Sequence, residues 1–246
     1  MTTIAADDLA LRRSGATLLA EVSLSLGPTG SVAVIGPNGA GKSMLLRTLA
    51  GIETPTAGQV RIDGRNLARL SGAARARQIG YLPQYFEPHW DLPVIDLIRL
   101  GAERAKHDTD GSVETVIAAF ELAAPRERRW SSLSGGERAR VLLAMVLAVD
   151  PPVLLADEPA ASLDIRHRLD VVQALVRRGK DRLSVVVMHD LDLVFRFFDR
   201  AIMLNRGRIV TDGPARDLFD DPRLDAAFGV EFERFKTPDG SLLRVK

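Results

Sequence analysis

Eight residues, Gly36-Pro37-Asn38-Gly39-Ala40-Gly41-Lys42-Ser43, match G-x-x-x-x-G-K-[ST] in full. They fall between an apolar, strand-like run, Ser31 to Ile35, and a helical pattern from Lys42 to Ala50 in which Leu45, Leu46 and Leu49 share one face and Gly51 can close the end. The motif demands that context: a strand that ends, a backbone loop that curls, and a helix that begins. Glycines let consecutive N–H groups turn inward around phosphate oxygens, and the helix N-terminus adds a favourable dipole. Lys42 is suited to neutralising the β and γ phosphates of a nucleotide, and the Ser43 hydroxyl to ligating Mg²⁺. A glycine turn that merely links two elements would not need all eight positions to agree. The loop by itself leaves kinases, GTPases and motor ATPases open.

The rest of the chain narrows the choice. With 246 residues, 46% hydrophobic and 26% charged, it can bury a sizeable core as one domain. Net charge is +1, and the basic clusters at Arg75 and Arg77 and at Arg126, Arg128 and Arg129 are interrupted by neutral or acidic residues, so they read as solvated faces and nucleic acid is not suggested. The absence of cysteine excludes a disulfide framework and a thiolate metal site. Met1 to Asp8 lacks the basic-then-apolar order of a signal peptide. The longest apolar run, Val141 to Val149, falls well short of the about twenty residues of a membrane span. Any membrane role must therefore pass through a partner.

Short apolar runs alternate with longer helical patterns, which predicts an α/β fold. Val153 to Ala156 and Val185 to Met188 are near-continuous, as strands buried on both faces of a parallel sheet should be. They end in Asp157-Glu158 and His189-Asp190, and such carboxyl ends should converge with the glycine loop on one site. From Gln84 to Asp150 the pattern turns helical, with Val94 to Leu100, Val113 to Leu122 and Glu137 to Ala148 as candidates. Residues 84–150 read as an inserted helical lobe, leaving 1–83 and 151–246 as a nucleotide-binding core.

Asp157 can hold Mg²⁺ directly or through water, and Glu158 can polarise an attacking water as general base. Pro159 stops the strand, and Ala161-Ser162-Leu163-Asp164 opens the next helix, where Asp164 is a plausible N-cap ahead of Ile165 to Val176 as well as a candidate for the site. Leu133-Ser134-Gly135-Gly136-Glu137 contains the S-x-x-E capping box, which explains a well-made helix start. Two glycines inside that box lower helix propensity by about 1 kcal/mol each, a cost that makes sense if a phosphate approaches the backbone closely.

The phosphate loop, the distant LSGGE and the D-E-P strand end together closely resemble the ABC ATPase family, over about Leu9 to Val230. The resemblance implies a P-loop NTPase core with a mainly parallel sheet, an N-terminal antiparallel β part and the inserted helical lobe. It implies that ATP lies on Gly36, Pro37, Asn38, Gly39, Ala40, Gly41, Lys42, Ser43 and Met44, with Mg²⁺ at Ser43, Gln84 and Asp157. Ser134, Gly135 and Gly136 would act in trans on the ATP of a second copy, in a head-to-tail sandwich. Gln84 matches the glutamine that senses Mg²⁺ and water, and His189 the switch histidine at the γ-phosphate; with Glu158 and Lys42 they make up the catalytic set. Two positions depart from the pattern. Arg13 stands where many members stack an aromatic ring on adenine, and either stacks its guanidinium plane or points away. Met44 replaces a threonine, losing one hydroxyl bond to the α-phosphate.

Tyr85 to Pro93, then Val94, Asp96-Leu97 and Leu100-Gly101, resemble the ATPases of bacterial importers for iron-siderophores, heme and vitamin B12. That implies integral-membrane partners, a periplasmic or extracellular substrate-binding protein acting indirectly, and a place on the cytoplasmic face of the membrane. Import of manganese, zinc or another substrate stays open. So does a soluble role in translation or DNA repair, although such proteins usually carry two ATPase units or a long coiled coil. Tyr85 to Leu97 is the expected docking surface, with Tyr85, Phe86, Trp90, Glu87 and Asp91 on it; the alternative packs His89 and Trp90 under the helical lobe.

Overall fold

The computed structural model describes residues 2–103, 109–161, 163–237 and 240–246; Ser162 lies outside them. The chain opens as a hairpin, β1 (Ile4–Arg13) and β2 (Ala16–Leu26), turning at Ser14 and Gly15, both at positive φ (49° and 80°) as a tight hairpin turn requires. After β3 (Gly30–Ile35) and α1 (Lys42–Leu49), strands β4 (Ala57–Ile62) and β5 (Arg65–Asn66) add to the hairpin. The result is an antiparallel sheet in the order β2-β1-β4-β5. Next come α2 (Gly72–Gln78), β6 (Ile79–Leu82), α3 (Val94–Ala102), α4 (Thr109–Ala119), α5 (Gly135–Leu147), β7 (Val153–Asp157) and α6 (Ile165–Arg178). The chain continues with β8 (Leu183–Val187), α7 (Leu191–Phe197), β9 (Arg200–Asn205), β10 (Arg208–Pro214), α8 (Ala215–Leu218), α9 (Arg223–Phe228) and a final hairpin, β11 (Phe232–Thr237) and β12 (Gly240–Val245).

The central sheet runs β10-β9-β3-β8-β7-β6, parallel except for β10. Its strands are apolar throughout because both faces are covered. Val153 and Leu155 of β7 face the antiparallel sheet and α1, while Leu154 and Ala156 face α6 and α7 on the other side. The carboxyl ends of β3, β6, β7 and β8 therefore lie side by side, followed by Gly36, Pro83, Glu158 and Met188. No helix among the described residues is long and apolar enough to cross a membrane.

A third core gathers Val94, Leu97 and Ile98 of α3, Val113 and Ile117 of α4, Val141 and Ala144 of α5, and Trp130. Helix α5 also sends Leu143 and Val146 into the core above the sheet, so one helix belongs to two cores. Several helix expectations shift. Helix α4 starts at Thr109 and stops at Ala119 rather than running from Val113 to Leu122, because Glu121 takes a left-handed φ of 53°. Helix α5 starts at Gly135, not Glu137.

The two tryptophans take opposite environments. Trp90 does not pack under the helical lobe: it is 68% exposed, edge-on to His89. Trp130 is the core residue, 3% exposed, edge-on to Phe86 and under the Arg138 guanidinium. Glu87, expected on the docking surface, is exposed and also accepts from the Trp130 indole N–H at 3.1 Å. Asp91 accepts from the Ser131 backbone N–H at 2.9 Å and so ties the same loop down. Nor are the basic clusters bare, since Arg126 pairs with Glu114 and Arg128 with Glu137, each at 2.8 Å.

Candidate active site

Between β3 and α1 the octet closes on itself. Gly36 holds φ 140°, and a Cβ there would meet the Leu204 carbonyl oxygen at 2.1 Å; Gly41 holds φ 102°, where a Cβ would meet the Leu18 oxygen at 2.7 Å. Side chains at these two positions would force the loop open. Helix α1 has Gly41 at its N-cap, with no side-chain cap and no acidic residue in its first turn, which leaves its N-terminal N–H groups for an anion. The buried Lys42 ammonium donates to Gly36 O at 2.7 Å and Pro37 O at 3.0 Å. Burial pushes its pKa below the usual lysine range, while the charges of Glu158 and Asp157 oppose the shift.

Asp157, at the end of β7, is 3% exposed. Its burial raises the carboxyl pKa, a hydrogen bond from Ser43 works the other way, and its Oδ1 has no partner among the described residues. Burial and the Asp157 charge together push the neighbouring Tyr81 hydroxyl up to about 12. Glu158 follows at φ 51°, a left-handed conformation that is uncommon outside glycine and costs of order 1–3 kcal/mol. Its two carboxylate oxygens are both engaged: Gln84 Nε2 donates to Oε2 at 2.8 Å, and His189 Nε2 lies 2.5 Å from Oε1.

Asn38 to Met44, Gln84, Glu158 and His189 thus line one cleft of about 650 Å³, together with Leu18. Leu18 was missed by sequence reasoning, since it sits on the antiparallel sheet and carries no motif. The structure does not bring Ser134, Gly135 or Gly136 to this cleft. Ser134 caps α5 by the expected capping box, accepting from the Glu137 N–H at 3.3 Å while its own N–H donates to Glu137 Oε2 at 2.8 Å. A Cβ on Gly136 would meet only Leu163 Cδ2 at an ordinary 3.5 Å, so packing within this chain does not demand glycine there. Asp164 caps α6, accepting from the His167 N–H at 2.9 Å.

Both departures from the motif pattern acquire partners. Arg13 pairs with Glu53 at 2.8 Å, and Glu53 pairs in turn with Arg47 at 2.9 Å, so the Arg13 guanidinium is held outside the cleft lining. Met44 packs against the core beneath α1.

Comparison with known proteins agrees with this geometry. The family model described as ABC transporter matches residues 19–161. The hemin import ATP-binding protein HmuV of Rhizobium meliloti is 37% identical over 238 residues, which cover 92% of this chain and 91% of that protein. The cobalamin import ATP-binding protein BtuD of Halobacterium salinarum is 40% identical over 225 residues, 87% of this chain and 56% of its own length. Among solved structures, an ATP-binding cassette in a dimeric post-hydrolysis state with ADP and Pi superposes with a TM-score of 0.80 at 26% identity, covering 87% of this chain and 99% of its own. An Atm1-family ABC exporter with ATP bound gives 0.79 at 25% identity, over 91% of this chain and 40% of that one. On the family match over residues 19–161 and the identity to its curated relatives, the chain belongs to the ABC transporter family, as one of its ATPases.

Proposed function

We propose that this chain is the ATP-hydrolysing subunit of a membrane importer, working as a head-to-tail pair with ATP between the copies and serving an iron chelate, heme or cobalamin. The observation that carries the hydrolytic reading is Glu158, with Gln84 at one carboxylate oxygen and His189 at the other, beside the Lys42 loop. The substrate class rests on the hemin and cobalamin import roles named for its relatives.

Glu158 acts as the general base, taking a proton from the water that attacks the γ-phosphate. Each of its oxygens has one partner and keeps a second lone pair that can accept from that water. His189, with 45% of its side chain exposed, lies on the same cleft as Lys42 and is the residue assigned to contact the γ-phosphate. Lys42 exchanges its loop carbonyls for phosphate oxygens and steadies the charge that spreads in the transition state. No cluster of three or more His, Cys, Asp or Glu side chains able to hold a metal exists among the described residues. The unpartnered Asp157 oxygen beside Ser43 nevertheless fits Mg²⁺, which takes few protein ligands and completes its shell with phosphate and water. Ser43, Asp157 and Gln84 would hold it, and the ion would neutralise charge at the phosphates.

Pairing is supported by Ser134 and Gly136, which stand outside the cleft with a glycine their own chain does not require. Lys42→Ala and Ser134→Arg should each be nearly inactive alone. Mixing them gives heterodimers in which one site carries both lesions and the other neither, so ATPase activity should partly return if the sites fire independently, a recovery that Ser134 acting only within its own chain does not explain.

Docking to a membrane subunit is supported by Tyr85, 80% exposed, and by a groove of about 450 Å³ between residues 82–87 and α5. On this reading residues 84–150 are the lobe that meets the membrane partner, the chain works at the cytoplasmic face, and the substrate-binding protein acts only through that partner. Co-purification should bring down integral membrane proteins, and vesicles holding the complex should take up hemin or cobalamin when ATP is supplied. Uptake of manganese or zinc instead would move the substrate assignment.

A further inference from the structure

Glu158 and His189 meet at 2.5 Å, yet they leave the sheet on separate loops, after β7 and after β8. One side chain touches both loops. Arg168, in the first turn of α6, donates from Nη2 to Leu163 O at 3.2 Å, and its Nη1 lies 3.8 Å from Asp190 Oδ2. Leu163 closes a series of turns that starts at Glu158, with Ala161 N–H on Glu158 O and Leu163 N–H on Ala160 O, each at 3.2 Å. Asp190 directly follows His189, and its other oxygen caps α7 by accepting from the Leu193 N–H at 3.2 Å, which fixes the carboxylate in place. Arg168, Glu158, His189 and Asp190 line one small cavity of about 190 Å³, and the Arg168 Nε is buried without a partner among the described residues.

We propose that Arg168 is a positioning residue for hydrolysis: its forked guanidinium clamps the turn that follows Glu158 to the Asp190 carboxylate, and so sets where His189 stands against Glu158. This rests on the reading of Glu158 and His189 as the hydrolytic pair. The ion pair is about a third exposed on each side, 35% and 37%, so it adds little to folding stability. A purely structural role would therefore be near-silent in every assay, whereas misplacing a catalytic group by a fraction of an ångström is felt in turnover. Lysine cannot reproduce the effect, since a single ammonium does not span two partners as a planar fork does.

The test is steady-state ATP hydrolysis by the full chain carrying Arg168→Gln, Arg168→Lys, Asp190→Asn or the Gln–Asn pair. Asparagine caps a helix about as well as aspartate, so Asp190→Asn keeps α7 and removes only the charge. Arg168→Gln should lower kcat by about tenfold with KM for ATP within about twofold and an unchanged thermal midpoint. Lysine should restore only part of kcat, and the double variant should be no slower than the worse single one, as expected for two residues in one interaction. Wild-type kcat in Arg168→Gln, additive losses in the pair, or a lowered thermal midpoint with kcat per folded molecule intact would each overturn the clamp. Glu158→Gln in the same assay separates the two levels: if it still turns over, the hydrolytic reading fails, whereas an inactive Glu158→Gln beside an unimpaired Arg168→Gln removes the clamp alone.

Discussion

Replacing Glu158 with glutamine should leave ATP bound and nearly stop its hydrolysis, lowering kcat by about 10² to 10⁴-fold, the usual worth of a positioned general base. The amide keeps the shape of the side chain, so Gln84 and His189 still find an oxygen and a nitrogen where two oxygens stood. It loses the basicity that takes the proton from water. Lys42, Asp157 and the loop N–H groups are untouched, so nucleotide affinity should hold and an ATP-bound dimer should accumulate on size-exclusion chromatography. Turnover close to wild type, measured as phosphate released per chain, would remove Glu158 from the role of base.

The second large effect belongs to Trp130. Truncation to alanine empties a site that is 3% exposed and leaves Glu87 without its indole donor and Arg138 without its ring. A buried tryptophan lost in this way costs about 3 to 5 kcal/mol. In a chain of this size each kcal/mol lowers the unfolding midpoint by about 2 to 4 °C, so a shift near or above 10 °C should be seen by circular dichroism or calorimetry. Trp90→Ala, at 68% exposure, should unfold with the wild type and retain basal ATPase activity while ATP-driven uptake falls. Equal destabilisation by the two substitutions would contradict the assignment of Trp130 to the lobe's core.

The residues that could be read from the sequence are those whose chemistry is local. The octet from Gly36 to Ser43, the strand end at Asp157-Glu158, the caps at Ser134 and Asp164 and the position of His189 each depend on spacing within a few residues, and the parallel sheet then sets the strand ends side by side. What stayed illegible is contact across long separations. Arg13 finds Glu53 forty residues on, Trp130 finds Glu87 across forty-three, and Leu18 reaches the cleft from a different sheet. A loop such as 83–93 has no periodicity, so nothing in it says which aromatic is buried. The end of α4 was misplaced for a related reason, since Glu121 adopts its left-handed turn without a glycine or proline to announce it.

The two carbonyls that hold Lys42 give ATP binding the character of an exchange. An isolated ammonium in so buried a place would draw any passing anion or shed its proton, whereas here its charge is already shared with Gly36 O and Pro37 O. A triphosphate that takes up the Lys42 charge must therefore compete with the loop's own backbone. The glycine turn that receives the nucleotide thus also supplies the acceptors that share the Lys42 charge.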